Sequence, residues 1–286
     1  MAMDTIRVIN LEDYVLTGGG RWGESFNHRE NPDVMMKLYA LEQKQMALDE
    51  YDRARKVFGL GIPTPEPGEL VSSPDGRIGL IFRRMPDKKS FARAVGENPE
   101  AAEELASRFA AMCKGLHATA VPAGMFPSAR ETYRGIVKDS PFLPDESKDR
   151  ILRFIDRVPE SCTALHGDMH FGNAIFSGDK AWFIDLGEFG QGNPMFDFGM
   201  AMISMSLLRE EVMKEMYHTD KPTSLRFWHA FLKAYFGKDC RIDEIEEQIR
   251  PFVAIRALYM QSLEGRIVPP FQKWVLDALA TGSFEA

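Results

Sequence analysis

Up to about residue 84, short apolar runs alternate with turn residues. Tyr14-Val15-Leu16 leads into a glycine-rich stretch, Thr17-Gly18-Gly19-Gly20-Arg21-Trp22-Gly23. Asn31-Pro32-Asp33 is a turn signal, and Val34 to Tyr39 follows as a predicted strand whose single charge is Lys37. A helix is predicted over about Leu41 to Phe58, stopped by Gly59, Gly61 and Pro63. Val71 to Phe82 reads as a hairpin around Ser73-Pro74-Asp75-Gly76.

After Arg84-Met85-Pro86-Asp87 the spacing becomes helical. Asn98-Pro99-Glu100 marks a helix start, with Asn98 as cap and Pro99 in the first turn, and Leu105, Phe109, Met112 and Leu116 follow on one face. Asp145-Glu146 opens a further helix carrying Ile151, Leu152, Ile155 and Val158. Phe227, Trp228, Phe231, Leu232 and Tyr235 belong to another. Between them, Ala174-Ile175-Phe176 and Ala181-Trp182-Phe183-Ile184 flank Ser177-Gly178-Asp179-Lys180, a hairpin turn. The pattern predicts an α+β protein: a small β-rich lobe over 1–84 and a larger mainly helical lobe over 85–286.

The chemistry gathers around that central hairpin. Leu165-His166-Gly167-Asp168 precedes Asn173 by one loop, and Ile184-Asp185-Leu186-Gly187 ends the hairpin. One carboxylate to orient an acceptor hydroxyl, plus an amide and a second carboxylate to hold Mg²⁺ on phosphates, is the set that metal-assisted phosphoryl transfer needs. A register symmetric about the turn sets Asn173 opposite Ile184, with Asp185 next to it. His166, Asp168 and His170 also spell H-x-D-x-H, the letters of a metallohydrolase, but none of the remaining histidines stands at a supporting spacing. Asp197-Phe198-Gly199 copies the metal-binding signature of protein kinases. Asp185 ends the hairpin strand, so the metal is assigned there; Asp197 is expected to cap the next helix and brace the Asp168 loop.

Upstream, Gly18-x-Gly20-x-x-Gly23 has dinucleotide-fingerprint letters, yet a turn and a strand follow instead of the helix that motif requires. The glycines instead suit a hairpin whose backbone N–H groups close over phosphates. Lys37 in its apolar strand suits the α- and β-phosphates, and such a lysine needs a carboxylate to hold it. Glu50 is the first choice, with Glu42 and Asp52 as alternatives.

Composition narrows the setting. A chain of 286 residues suits one large domain or two lobes. The net charge of −7 argues against a nucleic-acid-binding surface and admits a cationic small substrate. Cys113, Cys162 and Cys240 form neither a disulfide framework nor a zinc pattern, which fits a reducing compartment. Neither an apolar signal region nor a membrane span is legible, so the expected location is cytoplasmic. Oligomeric state is not readable.

Taken together, Leu165 to Asn173, Ile184-Asp185-Leu186-Gly187, Asp197, Lys37 and Gly61-Ile62-Pro63-Thr64-Pro65 resemble the aminoglycoside phosphotransferase and choline kinase family, a branch of the protein-kinase-like fold. The resemblance runs in order to about residue 200. It implies an ATP- and Mg²⁺-dependent transfer of the γ-phosphoryl group to a hydroxyl of an aminoglycoside-, choline- or sugar-like small molecule. Asp168 is then the catalytic base or hydroxyl-orienting group, Asn173 and Asp185 the metal ligands, Lys37 the phosphate contact, Glu50 its partner, and Ile81 to Met85 the interlobe linker. The competing expectations are a catalytically silent nucleotide-binding regulator and a protein kinase. The latter lacks an activation segment and A-P-E element after Gly187.

Overall fold

A computed structural model of the chain describes residues 6–19 and 23–285. The chain divides into two compact units, Met1–Lys89 with Ile175–Glu188, and Ser90–Ala174 with Phe189–Ala286.

The first unit is built on a six-stranded sheet. Its strands are β1 (Arg7–Val8), β2 (Tyr14–Gly19), β3 (Gly23–His28), β4 (Val34–Tyr39), β5 (Pro67–Ser72) and β6 (Ile78–Arg83). They run in the order β1-β5-β6-β4-β3-β2, antiparallel except for the β1–β5 pair. Alternation along β4 sends Met36 and Leu38 into a cluster with Ile9, Tyr14 and Val71. Lys37 and Tyr39 point to the opposite face. There Tyr39 packs with Ile78, Leu80 and Ala47, the last from α1 (Lys44–Gly59). The buried residues of α1 are Ala47, Glu50, Ala54 and Val57, a single stripe at helical spacing. A carboxylate is thus turned inward together with three apolar side chains.

The second unit is mainly helical. After β7 (Lys89–Ser90) come α2 (Phe91–Glu97), α3 (Ala102–His117), α4 (Ala129–Asp139) and α5 (Asp145–Arg157). Then follows β8 (Ala164–Leu165), antiparallel to β11 (Gly190–Gln191); the adjacent strands that come between them in the chain, β9 (Ala174–Ser177) and β10 (Lys180–Phe183), fall in the first unit apart from Ala174. The chain closes with α6 (Met195–Met202), α7 (Glu210–Tyr217), α8 (Lys221–Phe236), α9 (Ile242–Glu264) and α10 (Pro269–Ala280). One core joins α4, α5, α9 and α10 through residues such as Tyr133, Ile155, Phe252 and Val275. Among the described residues, no helix is long and apolar enough to cross a membrane.

Two expectations change. The division at residue 84 moves to Lys89, and the 175–188 hairpin belongs with the β-rich unit. The reason is tertiary: the Phe183 N–H donates to the Pro63 carbonyl at 2.9 Å, and Asp185 pairs with Lys37. Asn98 makes no side-chain cap. A short 3₁₀ turn, Pro99–Ala101, intervenes before α3 begins.

Candidate active site

In the first unit, strand and helix periodicities converge on Lys37. Its Nζ donates to Glu50 Oε1 at 3.0 Å and Oε2 at 2.8 Å, and to Asp185 Oδ1 at 3.0 Å. Glu50 is 4 % exposed and also accepts from the Tyr39 hydroxyl. The alternatives are placed elsewhere: Asp52 pairs with Lys56 one turn along α1, and Glu42 is exposed ahead of the helix. Burial alone would lower the Lys37 pKa. The charges of Glu50 and Asp185 outweigh it and hold the ammonium well above the usual lysine range. Asp185 carries φ of 60°, a left-handed conformation sparsely used by residues other than glycine, and its carboxylate is about half exposed. Backbone strain of this kind is concentrated at functional sites.

These groups line a cavity of about 170 Å³ with an apolar interior. Met35, Phe82 and Ile184 supply apolar wall, and Lys37, Thr64 and Asp185 supply polar atoms. Two cations, Lys37 and Lys88, and the half-exposed Asp185 carboxylate in a largely apolar lining suit a flat base with a charged tail.

The glycines divide. A Cβ at Gly23 would lie 2.6 Å from the Leu38 carbonyl, so that glycine permits the close approach of β3 to β4. Gly18, near the end of β2, has no heavy atom within 4 Å of a Cβ position and is open. Gly20 lies outside the described residues.

In the second unit, the loop between β8 and β9 is held by its own side chains. Met169 and Phe171 are fully buried, and the Phe171 carbonyl accepts from the Ala92 N–H at 3.0 Å. The buried Asp197, 1 % exposed in the first turn of α6, accepts from the backbone N–H groups of His166 and Gly167, both at 2.8 Å. Its Oδ2 also faces His117 Nε2 at 3.0 Å, and His117 Nδ1 meets the Tyr235 hydroxyl at 2.8 Å. Asp197 therefore braces the loop from inside α6 and does not cap that helix, whose first position follows Pro194. Gly167, at φ of 82°, makes the turn that brings both N–H groups onto one carboxylate.

Asp168 stands at the crest of this loop with its side chain 24 % exposed. Asn173 Nδ2 donates to its carbonyl at 3.0 Å and to Oδ2 at 2.9 Å. With the amide nitrogen committed in this way, the Asn173 oxygen is the atom available to a cation. Each histidine of the H-x-D-x-H string serves the loop. His166 Nδ1 accepts from the Asp168 N–H at 3.3 Å, and His170 Nδ1 accepts from the Gly172 N–H at 3.0 Å. Backbone engagement of one nitrogen on each ring gives these histidines a structural task in the loop.

Sequence reasoning missed Arg256. It lies 88 residues beyond Asp168, on α9, is 4 % exposed, and donates from Nη2 to Asp168 Oδ1 at 2.9 Å. Burial pushes the Asp168 pKa up. His170, 3.7 Å away, with Arg256 and His166, more than reverses that and holds the carboxyl well below the usual carboxylate range. The local signal was slender: one charge within the apolar run Phe252-Val253-Ala254-Ile255-Arg256-Ala257-Leu258.

Residues 26–240 match the phosphotransferase enzyme family. No curated protein matches the sequence. Among solved structures, a choline/ethanolamine kinase family protein from Mesorhizobium loti is 16 % identical, with a TM-score of 0.56 over 95 % of this chain and 85 % of that one. An amicoumacin kinase in complex with AMP-PNP, Ca²⁺ and Ami is 14 % identical, with a TM-score of 0.57 over 98 % of this chain and 90 % of that one. A thermostable aminoglycoside phosphotransferase in a ternary complex with ADP and hygromycin B is 12 % identical, with a TM-score of 0.60 over 96 % of this chain and 92 % of that one. At these identities the likeness shows the fold, that of protein-kinase-like small-molecule kinases.

Proposed function

The chain belongs to the phosphotransferase enzyme family as a small-molecule kinase, and we propose that it moves the γ-phosphoryl group of ATP, with Mg²⁺, to a hydroxyl of a small aminoglycoside-, choline- or sugar-like acceptor. The observation that carries this reading is the engagement of Lys37 with both Glu50 and Asp185 at the rim of an apolar cavity. A lysine fixed in this way offers a positive charge to the α- and β-phosphates.

Asn173, through its amide oxygen, and Asp185 are the residues that would hold Mg²⁺. Mg²⁺ is usually bound by one or two protein ligands together with substrate phosphates, so a two-ligand set suffices. Bound there, the metal neutralises phosphate charge. Gly18, Gly20 and Gly23 belong to the proposed phosphate hairpin: Gly18 by its openness, Gly23 by the strand packing it permits.

Asp168 accepts a hydrogen bond from the acceptor hydroxyl and aims its oxygen at the γ-phosphorus. The new O–P bond forms as the bond from the γ-phosphorus to the β–γ bridging oxygen breaks. ADP leaves with that electron pair, and the hydroxyl proton passes to Asp168 and on to solvent. A carboxylate held so acidic is a poor base. It fits a loose transition state in which positioning outweighs early proton removal. Three free cysteines accord with a reducing, cytoplasmic setting.

The test is ATP consumption across a panel of hydroxyl-bearing acceptors with and without Mg²⁺. Acceptor- and Mg²⁺-dependent ADP release is expected. Intact ATP after long incubation with every acceptor would favour a non-catalytic nucleotide binder.

A further inference from the structure

We propose that Arg256 is a positioning residue for phosphoryl transfer, fixing the plane of the Asp168 carboxylate so that its remaining lone pairs face the acceptor hydroxyl. The inference rests on the assignment of Asp168 as the hydroxyl-orienting group.

The geometry is specific. Arg256 Nη2 holds Oδ1 at 2.9 Å, and Asn173 Nδ2 holds Oδ2 at 2.9 Å. One donor on each oxygen removes the freedom of the carboxylate to rotate about its last torsion, which is otherwise broad. Arg256 is itself constrained. Its guanidinium carbon lies 4.6 Å from the centre of the Tyr259 ring, one turn further along α9, so the head is stacked as well as hydrogen-bonded. The helix that carries it is anchored by buried neighbours on both sides, Ile255 and Ala257, with Phe252 and Leu258 in the main core of the unit. A rigid apolar helix therefore delivers one cation to one oxygen of a loop carboxylate.

A purely structural role explains this less well. Replacing a buried ion pair by apolar residues is often neutral or stabilising, so stability alone is a weak reason for a buried arginine. The carboxylate it reaches is partly exposed, at the crest of a loop already tied down by Asp197, Met169 and Phe171. What the loop lacks without Arg256 is a donor on Asp168 Oδ1, since Asn173 and His170, the latter 3.7 Å away, both face Oδ2.

Steady-state kinetics of Arg256→Met and Arg256→Lys test the proposal. Arg256→Met is expected to lower kcat by about 10- to 100-fold, the scale of loss for a misplaced catalytic group. KM for ATP should stay near the wild-type value, so that the loss falls on kcat. Arg256→Lys keeps the charge but not the planar head, and kcat recovers only in part. Wild-type kcat in Arg256→Met, or a loss of kcat no greater than the fraction unfolded, overturns the proposal. Should Arg256→Met not fold, Arg256→Lys decides, and wild-type kcat in that variant overturns it. Should the wild type itself transfer no phosphate, the functional reading falls on its own. The carbon-13 chemical shift of the Asp168 carboxyl at neutral pH, compared between wild type and Arg256→Lys, then decides this inference. Identical environments in the two proteins overturn it, and a shifted Asp168 resonance in Arg256→Lys supports it.

Discussion

Lys37 Nζ lies 3.0 Å from Asp185 Oδ1 while its other hydrogen bonds are made to Glu50. The proposed phosphate-binding cation is therefore also the partner of the proposed metal-binding carboxylate. Glu50, the lysine's other partner, is buried and also bonded to Tyr39.

Removing that cation leaves two carboxylates without it. Lys37→Met is expected to lower stability by about 2–3 kcal/mol, below the roughly 3–5 kcal/mol of a fully buried broken pair because Asp185 reaches water. The midpoint of urea unfolding measures it. The pH dependence has a definite sign. The folded-state pKa of Lys37 is raised, so its contribution is complete below the unfolded lysine value of about 10.4 and is lost as pH rises through the folded value. The stability gap between wild type and Lys37→Met should be flat from about pH 7 to about pH 9. A gap that closes within that window contradicts the pairing.

Asp197 offers two oxygens to three donors. Asp197→Asn retains shape but turns one acceptor into a donor facing the backbone N–H groups. A loss of about 1–3 kcal/mol is expected from the unsatisfied groups. Turnover should fall because His166 and Gly167 carry Asp168, while ATP affinity, which rests on the other unit, stays near wild type. Calorimetric titration with the nucleotide, beside kcat, separates the two effects. An equal loss of ATP affinity and kcat would show that the brace acts globally.

Two glycine-to-alanine substitutions should behave differently. At Gly23 the new Cβ meets the Leu38 carbonyl at 2.6 Å, so β3 must move off β4, at a cost of about 1–3 kcal/mol. At Gly18 the space is open and folding should be unaffected, leaving nucleotide affinity as the quantity to change. Thermal melts of both proteins, with and without ATP, give the comparison. A destabilised Gly18→Ala would place that glycine with the scaffold.

Legibility in the sequence followed the range of the interaction. Lys37 and Glu50 could be paired before any coordinates because two local periods announce them: a charge in an alternating strand, and a carboxylate in the Ala47, Ala54, Val57 stripe. The loop from His166 to Asn173 was legible as a motif. The brace by Asp197 was half legible, since its letters suggested a metal ligand and only the hairpin end at Asp185 argued otherwise. Arg256 was not legible: its helix period is that of any buried helix, and nothing local says which carboxylate an arginine 88 positions away will meet. The placement of 175–188 with the β-rich unit likewise depends on Pro63 and Lys37, far away in the chain.

Asp185 permits a test free of any acceptor. Asp185→Ala should lose the Mg²⁺-dependent part of ATP binding in calorimetry, while Asp168→Ala keeps it. Mg²⁺-dependent binding in Asp185→Ala at the wild-type level would move the metal elsewhere.

The most direct measurement follows the label from γ-labelled ATP onto the acceptor that the panel selects, for wild type and Asp168→Ala at saturating nucleotide. The expected result is labelled acceptor with the wild type and none above background with Asp168→Ala, with ATP still bound by the variant. Comparable transfer by Asp168→Ala would contradict the assignment on which the site is built.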